Sequence, residues 1–367
     1  MFGKVEPERP LRSKVTVHDA ATYGALVCRG TIGAAEAFLE GHWSCTDLVT
    51  FVRMLVRDRE VLEGMEKGVA RLAMPIFKLG QLARRNTKQG SQRNIAAHYD
   101  LGNQLFELFL DPTLTYSSAW FKKEGDSLEL AQLAKLERIC LELRLETSDH
   151  LLEIGSGWGS LAIHAAQRHG CRVTTTTISR AQHDEVKRRV QELGLADRVT
   201  VLLRDYRDLE GQYDKLVSIE MVEAVGHKFL PTYLRKCAAL LSPRGRMLLQ
   251  AITIQDQHYA TALRRADFIQ THIFPGSFIP SLTVLAETCT RHTDLRIESV
   301  FDLGRSYART LRLWRERFLA NLARAHELGY DQRFCRAWEY YLAYCEGGFR
   351  ERFLSCEQIA LRKPEAE

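Results

Sequence analysis

Residues 153–159 read Glu-Ile-Gly-Ser-Gly-Trp-Gly, directly after the apolar pair Leu151-Leu152 and directly before the helical pattern that starts at Ser160. Glycines so placed let a chain leave a strand, turn sharply and bring its backbone close to a ligand. Their spacing narrows the choice. In a dinucleotide fingerprint the third glycine stands three residues after the second, whereas Gly159 follows Gly157 by two. Glu153, just before Gly155, supplies a carboxylate able to orient backbone and ligand polar groups.

A loop of this kind needs a sheet to hold it. From residue 150 onward, short β-branched or aliphatic runs alternate with amphipathic helices, the signature of a parallel sheet with crossover helices. The strands are expected at 150–154, 172–178, 199–203, 215–219 and 247–253. Helices are expected between them at 160–168, 181–193 and 227–241, the last ended by the turn Ser242-Pro-Arg-Gly. Residues 295–301 and 358–362 are expected to add strands at the edge. Residues 15–75 show helical periodicity broken at Gly30 and Gly41, and a second helix-rich segment runs to Leu145. The expected fold is therefore α/β: a Rossmann-like parallel sheet with helices on both faces, plus a small helical N-terminal domain. The boundary is placed at 1–90 and 91–367.

The strand, acid, glycine triplet and helix together resemble the first motif of S-adenosylmethionine-dependent methyltransferases. That resemblance implies that Gly155, Gly157 and Gly159 surround a methionine moiety and its sulfonium. Ligands in open parallel sheets lie beyond the carboxyl ends of the strands, so later strand ends should complete the site. The second strand ends in Thr174-Thr-Thr-Thr-Ile-Ser-Arg-Ala-Gln182 without an acid. Thr177 and Gln182 are the hydrogen-bonding groups there. After the third strand, Asp205 is placed to accept from the adenine amino group and Tyr206 to pack on the ring.

Several further stretches resemble the cyclopropane-fatty-acyl-phospholipid synthases and the related mycolic acid cyclopropane synthases. These are His98-Tyr-Asp-Leu-Gly-Asn, Phe109-Leu-Asp-Pro-Thr-Leu-Thr-Tyr-Ser-Ser, Asp205-Tyr-Arg-Asp-Leu, Ser218-Ile-Glu-Met-Val-Glu-Ala-Val-Gly, Ile273-Phe-Pro-Gly, Tyr307-Ala-Arg-Thr-Leu-Arg-Leu-Trp and Gly347-Gly-Phe-Arg. The resemblance spans roughly 94–363 and is weaker before it. It implies a reaction in which the cis double bond of an acyl chain takes the sulfonium methyl group, and a base then removes a proton so that a cyclopropane closes. Tyr116, Ser117 and Arg207 are then expected beside the cofactor. Tyr99, Trp120 and Phe274, with Tyr116 and Tyr307, become the aromatic faces that shelter a cation. The family's base is a bound bicarbonate held by a cysteine, a glutamate, a histidine and a tyrosine. By motif, Glu223 and Tyr307 take the glutamate and tyrosine places, while Ser118 and Gln250 stand where cysteine and histidine are expected. Serine and glutamine still donate to an anion, but the histidine's proton capacity is absent. His227 is a candidate replacement, with a helix-start histidine facing water as the plainer reading. These departures leave open a methylene- or methyl-branched product.

Composition fits this reading. The chain has 367 residues, 45% hydrophobic and 26% charged, with a net charge of +5. No apolar run approaches the roughly 20 residues of a membrane span. The charged, proline-containing start has no secretory pattern, so a cytoplasmic protein on the inner face of the membrane is expected. Nine scattered cysteines without CxxC pairs argue for reduced thiols and against a structural metal. Lys78, Arg84, Arg85, Lys88 and Arg93 follow an apolar-rich stretch with no acid among them, a pattern for contact with an anionic lipid surface or for a solvated linker. The expected partner is an unsaturated phospholipid, not nucleic acid; a homodimer is allowed. Rival readings are a methyltransferase for a small soluble acceptor and a non-catalytic lipid-binding homologue.

Overall fold

Seven strands form one sheet in the computed structural model, which describes residues 11–58, 86, 87, 90 and 102–366. Strands β3 (His150–Ile154), β4 (Arg172–Thr177), β5 (Val199–Leu203), β6 (Tyr213–Ile219), β7 (Leu241–Ile254), β8 (Arg296–Asp302) and β9 (Leu354–Arg362) lie in the order β5-β4-β3-β6-β7-β9-β8. The first five in that row are parallel, and β9 runs antiparallel to both β7 and β8. Chain order reverses between β3 and β6, which opens a crevice at the carboxyl ends of those two strands. The glycine loop lies at one side of that crevice and residue 220 at the other.

A small antiparallel ribbon precedes the sheet, built from β1 (Val15–Val17) and β2 (Trp43–Cys45). Sequence periodicity does not reveal it, since three-residue strands carry too little alternation. Between them α1 (Ala21–Leu39) kinks at Gly30, whose φ of 58° suits glycine, and Gly41 ends the helix with φ of 79°. Helix α2 (Leu48–Arg57) is capped by Asp47, which accepts from the Thr50 amide. It packs on a long C-terminal helix over 332–350, with Val52 against the bare face of Gly347, where a Cβ would come within 2.6 Å. Arg53 and Arg57 both reach Glu351 at 2.6 Å. Phe38, Trp43 and Val49 thus share a hydrophobic core with Phe106, Trp314 and Trp338.

One sequence expectation fails at the end of the third crossover. Helix formation stops at Leu240, but Ser242-Pro-Arg-Gly does not form a free turn. It begins β7, beside a register shift between Tyr213 and Lys215 of β6. Proline is tolerated at such an irregularity because the ladder does not require its missing N–H.

Candidate active site

The loop after β3 is pinned before it meets any ligand. The amides of Gly155 and Ser156 both donate to the Thr176 carbonyl of β4, at 3.0 and 2.9 Å. Trp158 is buried, donates through Nε1 to Asn103 at 2.9 Å and packs its ring at a tilt 4.6 Å from Phe106. Arg189 donates to the Trp158 carbonyl at 2.6 Å. All three glycines have positive φ, and a Cβ at Gly157 would meet no protein atom within 4 Å. That open space belongs to a cavity of about 640 Å3, within the range of small-molecule sites.

Of the residues expected beside the cofactor, Tyr116, Ser117, Glu153, Gly155, Gly157, Thr177, Gln182, Asp205, Tyr206 and Arg207 line this cavity. Gly159 instead sits behind it against Val186, capping the next helix in a left-handed conformation. Thr177 Oγ1 donates to Gln182 Oε1 at 2.8 Å, so those two groups present one joined polar edge. Asp205 is held by Arg207, whose backbone N–H, Nε and Nη2 donate to it at 2.7–2.9 Å. The Tyr206 ring rests edge-on against Tyr233, 5.3 Å away.

Beneath the loop lie two buried titratable groups, one acid and one base. Glu153 accepts from Thr175 Oγ1 at 2.5 Å, and burial pushes its carboxyl up to about 8. Lys135 donates to Ser117 Oγ at 2.8 Å, and burial pushes it down to about 8 against the pull of Glu220. Sequence reasoning missed Lys135, although its position carries a signal: with Leu128, Ala131 and Ile139 it falls on the apolar face of the helix over 128–142. A lysine on such a face needs a partner.

The second missed residue is Glu220. Its Oε1 accepts from the Ser118 amide at 2.8 Å, Gln250 Nε2 at 2.7 Å and Cys356 Sγ at 3.5 Å. Its Oε2 accepts from the Tyr307 hydroxyl at 2.6 Å. Ser118 and Gln250 are fully buried and are not among the cavity-lining residues. Their expected role as donors lining the cavity is therefore corrected: one holds Glu220 through its main chain, the other through its amide. Ser118 Oγ itself turns to the Ala119 carbonyl at 3.0 Å.

Glu223, three residues on, also lines the cavity. Its Oε1 accepts from the Ile252 amide at 2.5 Å, while its buried Oε2 has no partner among the described residues. Burial, and next the charge of Glu220, push this carboxyl up to about 8, so it carries a proton at neutral pH. An acid raised from 4.5 to about 8 binds more protons folded than unfolded across that window. It therefore costs stability increasingly as pH rises from 4.5 to 8. Glu223→Gln is expected to melt roughly 2–4 °C above the parent at pH 8 and level with it near pH 5, as calorimetry will read. Equal differences at both pH values would show that Glu223 is not the titrating group.

An apolar and aromatic wall completes the cavity, with Ile269, Phe274, Leu311, Tyr341 and Phe349, joined by Val52, Leu55 and Val56 of α2. Phe274 is thus where the sequence suggests. Trp120 is not: it packs edge-on to Phe301 at 5.5 Å with Lys122 over its ring, outside the cavity. The alternation of aromatics in 116–121 sends one ring inward and the next outward, which sequence alone does not resolve. His227 is exposed, 2.7 Å from the Tyr259 hydroxyl, and does not line the cavity. Tyr99, Lys78, Arg84, Arg85, Lys88 and Arg93 lie outside the described residues. Cys140, His164 and His169 bring their ligand atoms within 4.8 Å of one another, away from the cavity. The Cys140 thiol is pushed upward by burial and both histidines face Glu137.

A parallel sheet with β9 inserted antiparallel, and an acid-led glycine loop at its reversal point, define an S-adenosylmethionine-dependent transferase. Residues 86–359 match the family model described as mycolic acid cyclopropane synthetase, and the chain belongs to that family. It is 38% identical to the tuberculostearic acid methyltransferase of Mycobacterium tuberculosis, over 98% of this chain and 84% of that one. It is 34% identical to the cyclopropane-fatty-acyl-phospholipid synthase of Escherichia coli, over 91% and 84%. Among solved structures, the fold matches a cyclopropane synthase from Mycobacterium tuberculosis with a TM-score of 0.70 and 30% identity, covering 74% of this chain and 98% of that one. A mycolic acid cyclopropane synthase complexed with SAH and CTAB gives 0.69 and 31%, with the same coverage.

Proposed function

We propose that the protein transfers a one-carbon unit from S-adenosylmethionine to the cis double bond of an unsaturated fatty acyl chain of a phospholipid, with cyclopropane closure as the principal product. One observation supports this most directly: a single cavity is lined both by the glycine loop and by apolar and aromatic side chains, with Glu220, Glu223 and Tyr307 also on its lining. A small polar acceptor has no use for such a wall, and a mere lipid carrier has no use for the carboxylates. When bound, the cofactor supplies an electrophilic methyl group. The chain's own residues do the rest. The loop fixes the methionine end, Asp205 and Tyr206 border the nucleoside end, and the apolar wall aligns the alkene while excluding water that would trap a cation.

A branched product is the second reading. It is favoured by Ser118 and Gln250, which depart from the ring-forming pattern, and by the likeness to a tuberculostearic acid methyltransferase. Mass spectrometry of lipids from cells with and without the protein tests both. Gain of one CH2 on unsaturated chains is expected, and locating it separates a ring from a branch. Methylation of a headgroup or of a soluble amine would replace this reading.

No helix among the described residues is long and apolar enough to cross a membrane. The acyl chain must then be reached from the surface, and the basic residues Lys78, Arg84, Arg85, Lys88 and Arg93 suit an anionic one. Replacing Arg84, Arg85 and Lys88 with Gln is expected to weaken sedimentation with anionic vesicles by about a hundredfold at low salt, on the scale of about 1 kcal/mol per basic residue near the surface. Raised salt should weaken the parent alike. Equal binding by parent and variant would make the segment a linker.

A further inference from the structure

We propose that Glu220 is the base of this reaction and that its carboxylate stands where the family resemblance puts a bound bicarbonate, so that the protein carries its own anion; this rests on the reaction proposed above. The resemblance assigns that anion to residues 118, 223, 250 and 307. Three of the four are already spent on Glu220: the Ser118 amide, the Gln250 amide group and the Tyr307 hydroxyl. Cys356 adds a fourth donor. Gln250 is itself fixed in this direction, because its Oε1 accepts from Gln358 Nε2 at 3.0 Å. A carboxylate and a bicarbonate ion make the same demand on such donors, so the two compete for one place.

The backbone points the same way. Glu220 has φ of 49°, a left-handed conformation that is strained for a residue with a Cβ. Its amide is held there by the Gln250 carbonyl at 2.7 Å. Strain of this kind at the end of a central strand, with the side chain aimed at a cavity, marks a position kept for chemistry. Glu223 is the other carboxylate on the lining, and its raised pKa makes it a proton-bearing neighbour rather than a second base.

In the step itself, the π pair of the alkene forms the new carbon–carbon bond to the methyl carbon, and the sulfur–carbon pair returns to sulfur. The adjacent acyl carbon is left cationic. Glu220 takes one proton from the transferred methyl group, and the freed C–H pair closes the ring. If a hydride first shifts to the cationic carbon, the same proton removal leaves a methylene branch. Either way one proton ends on Glu220 and passes to solvent on product release, with no outside oxidant or reductant.

The test uses the full chain with unsaturated phosphatidylglycerol vesicles and, separately, calorimetric titration with sodium bicarbonate. The parent is expected to bind no bicarbonate and to turn over equally in bicarbonate-depleted buffer. Glu220→Gln should lose about a hundredfold in turnover while binding S-adenosylmethionine as the parent does. Glu220→Gly, which relieves the backbone and empties the donor set, should bind bicarbonate and recover part of its turnover when bicarbonate is added. Bicarbonate binding by the parent, parental turnover in Glu220→Gln, or a folded Glu220→Gly that ignores bicarbonate would each overturn the proposal. A parent that transfers no carbon to any unsaturated lipid would instead remove the reaction, and the titrations would still decide what Glu220 occupies.

Discussion

Gly157→Val abolishes binding of S-adenosylmethionine, lowering affinity at least about a hundredfold in calorimetric titration while the protein stays folded. Two independent features lead to this result. The backbone at Gly157 has φ of 49°, which a β-branched side chain adopts only under strain. The space beyond its Cα is open, with no protein atom within 4 Å of a Cβ, so a side chain would project into the cavity rather than into the protein. Gly159 provides the contrast. Its Cβ would lie 3.0 Å from Val186 Cγ1, and φ is 88°. Gly159→Ala should therefore lower the melting temperature and spare affinity in the fraction that folds. A folded Gly157→Val protein that titrates like the parent would show that the loop does not hold the cofactor.

Tyr307→Phe is the second change with a large expected effect. The hydroxyl is the donor that Glu220 Oε2 receives, at 2.6 Å, and the ring is wedged 4.4 Å from Phe349. Removing the hydroxyl leaves shape and packing intact and takes away one hydrogen bond to a charged acceptor, about 1.5–3 kcal/mol. Turnover on unsaturated phospholipid should fall by about 10- to 150-fold, with cofactor affinity preserved. Because Tyr307 acts through Glu220, the double variant Tyr307→Phe/Glu220→Gln should be no slower than Glu220→Gln alone. Multiplying losses would mean that the tyrosine touches the reacting atoms on its own account.

The sheet could be read from the chain because each strand is a short buried run between amphipathic helices. Leu151-Leu152 and Val173-Thr174-Thr175-Thr176 are buried on both faces, the threonines bringing β-branched side chains suited to a strand. The edge was legible only in part. Residues 296–302 form the outermost strand, yet β9 threads between it and β7, a choice made by long-range pairing that local pattern does not carry. At the site, the cofactor side was legible because a glycine triplet constrains its own surroundings. The anion side was not. The motif names Ser118, Gln250, Glu223 and Tyr307, but only their arrangement in space shows that three of them converge on Glu220. What betrays Glu220 is its backbone conformation, and a sequence does not print φ. Lys135 was hidden differently, as one basic residue in a helix with many polar ones, visible only once its apolar stripe is traced.

The wall that α2 contributes has a consequence for how this enzyme can be retuned. Val52, Leu55 and Val56 border the cavity from a segment that lies wholly before residue 86, where the match to the family model begins. The glycine loop, Glu220 and Glu223 all follow directly from central strands of the sheet, whereas this part of the wall hangs on the clasp between Arg53, Arg57 and Glu351. One part of the wall is thus written on a separate stretch of the gene from the glycine loop and the carboxylates, while Ile269, Phe274, Leu311, Tyr341 and Phe349 share theirs. On the acyl acceptor proposed above, that separate part can change while the reaction centre stays fixed, and grafting other N-terminal helices onto this sheet is expected to alter chain-length preference.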